Sequence, residues 1–221
     1  IYVFPDNTVW AGTFKGLMTK KANVKSFKKF TDKDGKPANV VNFMIEDRNG
    51  NLWLADLRKG IVKFDGKTFK RFNQKSGLAS NTVLSMLEDK DGIFWFGTNN
   101  GLTRYDGKNF VSYRKKEGLH NNNIYQVFED NGGYIWMSSN KGLFKILKQD
   151  LNAVAQGKKG RVESIVYGKK DGMPKSECNG GYQPAGCMTP DGRMWFPTSK
   201  GVVIVDPANL NPNKLEPPVY I

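Results

Sequence analysis

The sequence predicts an all-β fold made of one repeated four-stranded unit, and three observations support this prediction. Five tryptophans recur in the same local pattern with spacings of 43, 42, 41 and 59 residues, at Trp10, Trp53, Trp95, Trp136 and Trp195. Short apolar or alternating segments, which are typical of strands, surround each of them. Turn dipeptides such as Asp91-Gly92 and Asp106-Gly107 separate these segments. A fixed period near forty residues indicates a repeat architecture.

The third unit, from Asn81 to Leu119, shows the four predicted strands most clearly, over 82–87, 94–98, 102–105 and 109–113. Its first segment is mostly apolar, as expected for a strand buried on both faces, and Trp95 is the main packing residue of the second. Such a small sheet can bury its two apolar faces only against neighbouring copies. The sequence therefore predicts a β-propeller of about five four-stranded antiparallel blades. We place the blades at 1–38, 39–80, 81–122, 123–180 and 181–214, followed by a linker over 215–221.

The fourth unit departs from the pattern and explains the last, longer spacing. An insertion from about Lys148 to Gly160 follows its third strand, with a helical turn over 150–155. The fourth strand is predicted over 162–167, and an unusual loop continues to Gly186.

Composition limits the classes of function. With 221 residues and 38% hydrophobic content, the chain can bury a sizeable core as one domain. It has no run of eighteen apolar residues, so no membrane segment is expected. It begins at Ile1 in a strand-like segment with no leader, and we interpret it as a mature or excised part of a longer protein. The charge of +13 favours polyanionic partners, or simply reflects lysines that keep a β-rich protein soluble.

Catalytic, metal and cofactor sites are not supported by the residues present. Cys178 and Cys187 have no ligand-spaced Cys or His beside them, and they form either a disulfide or two free thiols. The sole histidine, His120, lies in an Asn-rich loop without an obvious nucleophile. The pairs Glu46-Asp47, Glu88-Asp89 and Glu129-Asp130 recur once per repeat, which indicates a structural role. No phosphate loop, nucleophile elbow or nucleic-acid motif occurs, so we expect no enzyme, no cofactor and no nucleic-acid partner.

Candidate ligand-binding residues lie at the turn between the second and third strands of each blade. In a propeller these turns share one face with the loops that join the blades. The turns are Phe14-Lys15, Arg58-Lys59, Asn99-Asn100, Asn140-Lys141 and Ser199-Lys200. We predict that Lys15, Arg58, Lys59, Asn100, Lys141 and Lys200 bind an anionic ligand. The alternative is that these are ordinary hairpin turns with solvated lysines.

A second set of candidates lies in the last inter-blade loop, Glu177 to Gly186, which combines an acid, two amides and an aromatic ring. Here we predict that Glu177, Asn179, Tyr182 and Gln183 contact ligand. The glycines of this loop could instead serve close backbone packing in the last blade.

The pattern Glu-Asp-x-x-Gly-x-x-Trp-x-Gly-Thr-x-x-Gly-Leu-x-x-Tyr-Asp-Gly, from Glu88 to Gly107, resembles the two-component-regulator propeller repeat. This repeat builds the periplasmic sensor regions of hybrid two-component histidine kinases. The resemblance implies seven-bladed propellers, a following β-sandwich, a membrane helix and a kinase, and recognition of polysaccharide breakdown products. It implies that this chain is the C-terminal part of a larger propeller, on the periplasmic or extracellular side of the inner membrane.

We therefore expect a non-enzymatic sensor module that binds an oligosaccharide, with an acidic oligosaccharide as one candidate. Self-association, or contact with neighbouring propeller or β-sandwich domains, is expected at exposed blade faces. Two alternatives stay open at this level: a propeller lyase, and a scaffold that binds only protein partners.

Overall fold

Five antiparallel sheets form the fold. The structure is a computed structural model, and it describes residues 1–3, 7–30, 40–181 and 183–210. Blade 1 contains β1 (Tyr2–Val3), β2 (Val9–Thr13), β3 (Gly16–Lys20) and β4 (Lys28–Lys29). Blade 2 contains β5 (Val41–Glu46), β6 (Leu52–Asp56), β7 (Gly60–Phe64) and β8 (Phe69–Phe72). Blade 3 contains β9 (Val83–Glu88), β10 (Phe94–Thr98), β11 (Gly101–Tyr105) and β12 (Phe110–Tyr113). Blade 4 contains β13 (Gln126–Glu129), β14 (Tyr134–Ser139), β15 (Gly142–Leu147), α1 (Lys148–Ala155) and β16 (Ile165–Tyr167). Blade 5 contains β17 (Cys187–Met188), β18 (Met194–Thr198) and β19 (Gly201–Val205).

The all-β propeller architecture predicted from the repeat is confirmed, because consecutive strands pair in order within every sheet. Two details differ from the prediction. The fourth strand of blade 4 begins only at Ile165, because Val162 and Ser164 bond instead to the preceding inter-blade loop. The Val162 amide donates to the carbonyl of Glu117 at 2.8 Å, and the Ser164 hydroxyl donates to that of Gly118 at 2.9 Å. Blade 5 has three strands among the described residues, whereas four were predicted.

The only α-helix in the described ranges, α1, has eight residues and is too short to cross a bilayer. The tail over 215–221, predicted to be a linker, lies outside the described residues. The predicted blade boundaries stay predictions.

Hydrophobic clusters fill the junctions between successive blades, and each junction from blade 1 to blade 5 has its own cluster. The tryptophan of the second strand is central to four of them: Trp10, Trp53, Trp95 and Trp136 are at most 7% exposed. In the described part of the chain no such cluster joins blade 5 back to blade 1. Among the described residues, the five blades therefore form an arc with four apolar junctions.

The recurrent aspartate holds the tryptophan of its own blade. The indole N–H groups of Trp53, Trp95 and Trp136 donate to Asp47, Asp89 and Asp130 at 2.8, 2.8 and 2.7 Å. The other carboxylate oxygen of each aspartate accepts backbone N–H groups of the following turn. This arrangement confirms the structural role expected for these acids.

The recurrent glutamate reaches back to the preceding blade. Glu46 accepts from the hydroxyl of Tyr2, Glu88 accepts from the backbone N–H of Arg48 at 2.8 Å, and Glu129 accepts from that of Lys90 at 3.0 Å. Blade 5 carries Met188 and Thr189 at the corresponding positions and makes neither bond. A cleft of about 570 Å³ lies at this junction between blades 4 and 5.

Candidate functional site

The turns between second and third strands share one face of the arc with the inter-blade loops, and we call this the upper face. The amide of Gly60 donates to the carbonyl of Asn81 at 2.9 Å, and that of Gly101 donates to Asn122 at 2.6 Å. The Asn121 side chain donates to that of Asn140 at 2.8 Å. The turns of blades 2 and 3 thus rest on the loop that enters the next blade, whereas the turn of blade 4 contacts the loop that enters its own blade. Candidate residues from distant parts of the sequence therefore lie on one surface.

A hydroxyl group shapes four of the five turns. The side chains of Thr13, Thr98, Ser139 and Thr198 donate to the carbonyl of the glycine three residues later, at 2.7 to 2.9 Å. The same oxygens accept the backbone N–H of Lys15, Asn100, Lys141 and Lys200, at 3.0 to 3.2 Å. Because the turn uses only the main chain of Lys15, Lys141 and Lys200, the side chains of these lysines can contact a ligand, whereas the Asn100 side chain accepts from that of Asn122 at 3.5 Å.

The second blade has a longer turn, over residues 57–59, in which Arg58 has a φ of 61°. Asp56 replaces the hydroxyl residue there and pairs with Arg71 at 2.8 Å. Lys59 still precedes the turn glycine. All five turn cations, Lys15, Arg58, Lys59, Lys141 and Lys200, are exposed, and none forms an ion pair within the described ranges.

The upper face is strongly basic, whereas the opposite, lower face is close to neutral. The upper turns and the loops over 73–82, 114–125 and 168–178 carry twelve basic and three acidic side chains. The described connections on the lower face carry eleven basic and ten acidic side chains. Among the described turns and loops, the net positive charge is therefore concentrated on the face that was predicted to bind ligand.

The three acids of the upper face already have partners. Glu117 and Asp171 cap short 3₁₀ turns and accept the backbone N–H of Arg114 and Gly168 at 2.9 and 2.8 Å. Glu177 pairs with Lys175 at 3.2 Å. These acids neutralise few of the surrounding cations, so the face attracts anions.

The last inter-blade loop differs from the others: after Asn179, whose amide donates to the carbonyl of Pro197 at 2.8 Å, residues 180–181 and 183–186 have no described pairing with β18. Thr198 pairs with Cys178 in an isolated bridge, while Trp195 pairs with Cys187 in β17. The residues between them therefore project towards the inner strands of other blades, and we call them the axial loop. Gln183 donates to the carbonyls of Leu84 in blade 3 and, at 3.0 Å, Tyr125 in blade 4.

The axial loop packs closely against its surroundings. A side chain at Gly180 would meet the ring of Tyr125 at 2.1 Å, so only glycine fits there. Gln183 and Pro184 also border a cavity of about 210 Å³ next to Val41 and Met44 of blade 2. The described part of the loop thus reaches the inner strands of blades 3 and 4 and borders a cavity beside blade 2.

The structure separates the second set of predicted site residues. Glu177 and Asn179 are exposed on the upper face, and burial, together with the charge of Glu177, raises the pKa of Tyr125. Gln183 points into the centre of the arc and bridges two blades. Tyr182 lies outside the described residues. Sequence spacing identified this loop as irregular, but it did not show that the loop folds inwards.

His120 and the cysteines show no arrangement for catalysis or metal binding. The Nε2 atom of His120 lies 3.3 Å from the carbonyl oxygen of Lys141, and its ring contacts Phe144 edge-on at 5.6 Å. No group of metal-ligating side chains occurs among the residues that the structure describes.

Cys178 and Cys187 are both free thiols. They pair with positions three residues apart on β18, which separates them by roughly 10 Å, beyond the reach of a disulfide.

The two thiols should differ sharply in reactivity. Cys187 is exposed, whereas Cys178 is 2% exposed and its burial raises the pKa of the thiol to about 11. Because the thiolate is the nucleophile, iodoacetamide at pH 8 should modify Cys187 in the folded protein and Cys178 only after unfolding. Peptide mapping by mass spectrometry measures both. Equal labelling of the two residues in the folded chain would contradict the structure.

A family described as the two component regulator propeller matches residues 35–58, 77–100 and 118–141. The chain contains two-component regulator propeller repeats. The matched segments end in the upper turns that carry Lys59, Asn100 and Lys141. In the comparison with curated proteins, no sequence matches the chain.

Solved structures with the same fold include extracellular domains of signalling proteins of B. thetaiotaomicron. The domain of one, assigned to a hybrid two-component system, is 22% identical with a TM-score of 0.75, over 93% of this chain and 27% of that chain. Another, assigned to a one-component system, is 19% identical with a TM-score of 0.71, and the match covers 94% of this chain and 29% of that chain. The chain thus spans about a quarter to a third of the length of these neighbours. Virginiamycin B lyase from Staphylococcus aureus, solved with quinupristin, is 16% identical with a TM-score of 0.60. This match covers 96% of this chain and 70% of the lyase chain.

Proposed function

We propose that this chain is a ligand-binding module of a bacterial two-component signalling protein and that its upper face binds an acidic oligosaccharide. The observation that carries the proposal is the separation of charge: twelve basic and three acidic side chains on the upper face, against eleven and ten below. The regulator propeller repeats support the signalling role, and the extracellular neighbours support a location in the periplasm or outside the cell. The module is proposed to act by binding alone.

The chemistry of the upper face suits a carboxylated or sulfated sugar. The ammonium groups of Lys15, Lys59, Lys141 and Lys200 are exposed and have no described carboxylate partner, so they can pair with the anionic groups of a ligand. Because the turn cations of several blades lie on the upper face, the ligand would lie across this face and contact several blades. Binding could thereby change how this module contacts its neighbouring domains.

The proposal predicts that three turn lysines of the upper face contribute more to the affinity for acidic oligosaccharides than three lysines of the lower face do. In one variant Lys59, Lys141 and Lys200 are each changed to Gln. In the matched control Lys67, Lys108 and Lys158, which are exposed on the lower face, are changed to Gln. Both variants lose the same net charge. The first should bind uronate or sulfated oligosaccharides about tenfold more weakly or worse, and the control should bind nearly as wild type does, because exposed charge pairs contribute roughly 0.2–1 kcal/mol each.

Calorimetry at several salt concentrations measures these affinities, and wild-type binding should weaken as salt rises. Equal losses in both variants would show a nonspecific charge effect. Absence of any acidic glycan ligand at low salt, or tighter binding of neutral glycans, would overturn the proposal.

A lyase activity is the second candidate, because lyase propellers share the fold and His120 lies on the upper face. Its described contacts are a carbonyl and a phenyl ring, and no described carboxylate bonds to it. His120→Ala distinguishes the two functions. The sensor proposal expects unchanged glycan affinity, whereas glycan or cyclic-peptide turnover that is lost in His120→Ala would favour the lyase.

A further inference from the structure

The lower end of blade 1 differs from the corresponding ends of blades 2 and 3. In those two blades an Asp-Gly turn joins the third and fourth strands, and Asp65 and Asp106 each hold it by accepting two backbone N–H groups. In blade 1 the connection between β3 and β4 is longer, over residues 21–27, and it contains no acidic residue. The compact turn of the repeat is thus replaced by a longer connection, which we call the rim loop.

The rim loop and the strand ends beside it are densely cationic, although the lower face as a whole is close to neutral. Five lysines lie within ten residues, and none of them forms an ion pair in the described part of the chain: Lys20, Lys21, Lys25, Lys28 and Lys29. Thr19 lies opposite Lys28, so the hairpin brings the two ends of this segment together. No acidic residue occurs over 7–30, and the segment 31–39 has two acidic and two basic residues, so its sequence adds no net charge.

Two apolar side chains are exposed among these lysines. Val24 is 37% exposed and Phe27 is 43% exposed, and every residue over 21–29 is exposed to solvent. Because β4 is the outer strand of its sheet, the rim loop lies at the outer edge of the arc, on the lower face. This edge therefore presents unpaired cations and apolar groups together.

We propose that the rim loop binds the surface of an anionic lipid bilayer, with its lysines at the lipid phosphates and Phe27 among the headgroups. Clusters of roughly four to eight basic residues are attracted to anionic lipids. Stable binding takes a second signal besides charge, which the exposed apolar side chains supply here. A bilayer requires neither a concave site nor a fixed register, and this suits a loop that is exposed throughout.

The same features fit a nucleic acid less well. A single strand is held by a basic groove with several stacking rings, whereas the rim loop has one ring, that of Phe27. With the rim loop on a bilayer, the lower face of blade 1 lies against lipid and the upper turns stay in water. The inference concerns a different surface from the proposed glycan site and does not depend on it.

Co-sedimentation of the intact 221-residue protein with lipid vesicles tests the proposal. Vesicles of equal parts phosphatidylglycerol and phosphatidylcholine should bind the protein at least about tenfold better than pure phosphatidylcholine, and binding should weaken as salt rises. In one variant Lys21, Lys25 and Lys28 are changed to Gln. The matched control is the upper-face variant with Lys59, Lys141 and Lys200 changed to Gln, which removes the same charge. The first should lower the partition coefficient about tenfold or more, and the control should bind nearly as wild type does.

Phe27→Ser tests the apolar contribution, with Phe14→Ser as its control. Phe14 is 76% exposed at the upper turn of the same blade, so both changes remove an exposed phenyl ring. Phe27→Ser should weaken vesicle binding about 3- to 10-fold, whereas Phe14→Ser should leave it unchanged. Because all of these positions are exposed, the variants should keep the wild-type midpoint of thermal unfolding.

The proposal is overturned if anionic vesicles bind no better than pure phosphatidylcholine, or if the upper-face variant loses as much binding as the rim-loop variant. It is also overturned if the rim-loop variant keeps vesicle binding but loses affinity for a single-stranded oligonucleotide, since nucleic acid would then be the partner. The rim-loop variant should keep wild-type affinity for acidic glycans, so failure of this proposal and failure of the glycan proposal give different results.

Discussion

Asp89→Ala should destabilise the protein by about 2–4 kcal/mol. The change leaves the indole N–H of the fully buried Trp95 without an acceptor, and it removes the acceptor of the backbone N–H groups of Asp91 and Ile93. It also removes one carboxylate from the cluster around Lys148, 3.5 Å away. For a chain of this size we expect the midpoint of thermal unfolding to fall by roughly 6–12 °C.

Thr189→Ala is the matched control, since Thr189 occupies the same place in the repeat of blade 5. The described bonds of its hydroxyl are to Asp191 and to the carbonyl of Arg193, in an exposed turn. The change should cost less than about 1 kcal/mol. Urea unfolding followed by tryptophan fluorescence and circular dichroism measures both variants. Similar losses of stability would contradict the assignment of the recurrent aspartate as the acceptor of the tryptophan N–H.

Gly118→Ala should be at least as damaging, at about 3–5 kcal/mol. Gly118 ends a 3₁₀ turn with a φ of +107°, which costs an L-residue roughly 1–2 kcal/mol. A Cβ atom there would lie 1.9 Å from the carbonyl oxygen of Val162, a backbone atom of a residue whose amide is itself held by a bond to Glu117. The loop or the strand would have to move, and the overpacking adds about 1–3 kcal/mol.

Gly107→Ala separates the two causes. Gly107 has a φ of +92°, but a methyl group added to it would meet nothing within 4 Å, so only backbone strain should appear, at about 1–2 kcal/mol. Differential scanning calorimetry of the two variants tests this difference. If Gly118→Ala were no worse than Gly107→Ala, the close approach of the blade 3 loop to Val162 would be wrong.

Most of the fold could be predicted from the sequence because the same unit is repeated. The tryptophan, the Glu-Asp pair and the turn glycines keep the same spacing in successive copies, because each fills a place defined within one blade or at its contact with the next. Asp47, Asp89 and Asp130 bond to the tryptophan six residues later, so their role follows from local spacing. The same register placed the turn lysines on one face, although it could not show that this face is basic overall.

Features that depend on contacts between distant segments could not be obtained in this way. The strand predicted over 162–167 is shortened, because Val162 and Ser164 bond to the loop at 117–120. The predicted ligand residue Gln183 instead bridges blades 3 and 4, because the axial loop folds towards the centre of the arc. Nothing in the local composition of that loop distinguishes an inward course from an exposed one.

By itself, then, the sequence determined the blade, its turns and the packing role of its tryptophan, since these depend on periods of a few residues repeated in register. Only the tertiary structure decided two other features: the inward course of the axial loop and the concentration of charge on the described turns and loops of the upper face. Each of these depends on where separate blades lie relative to one another, and that is fixed by burial of apolar surface between blades.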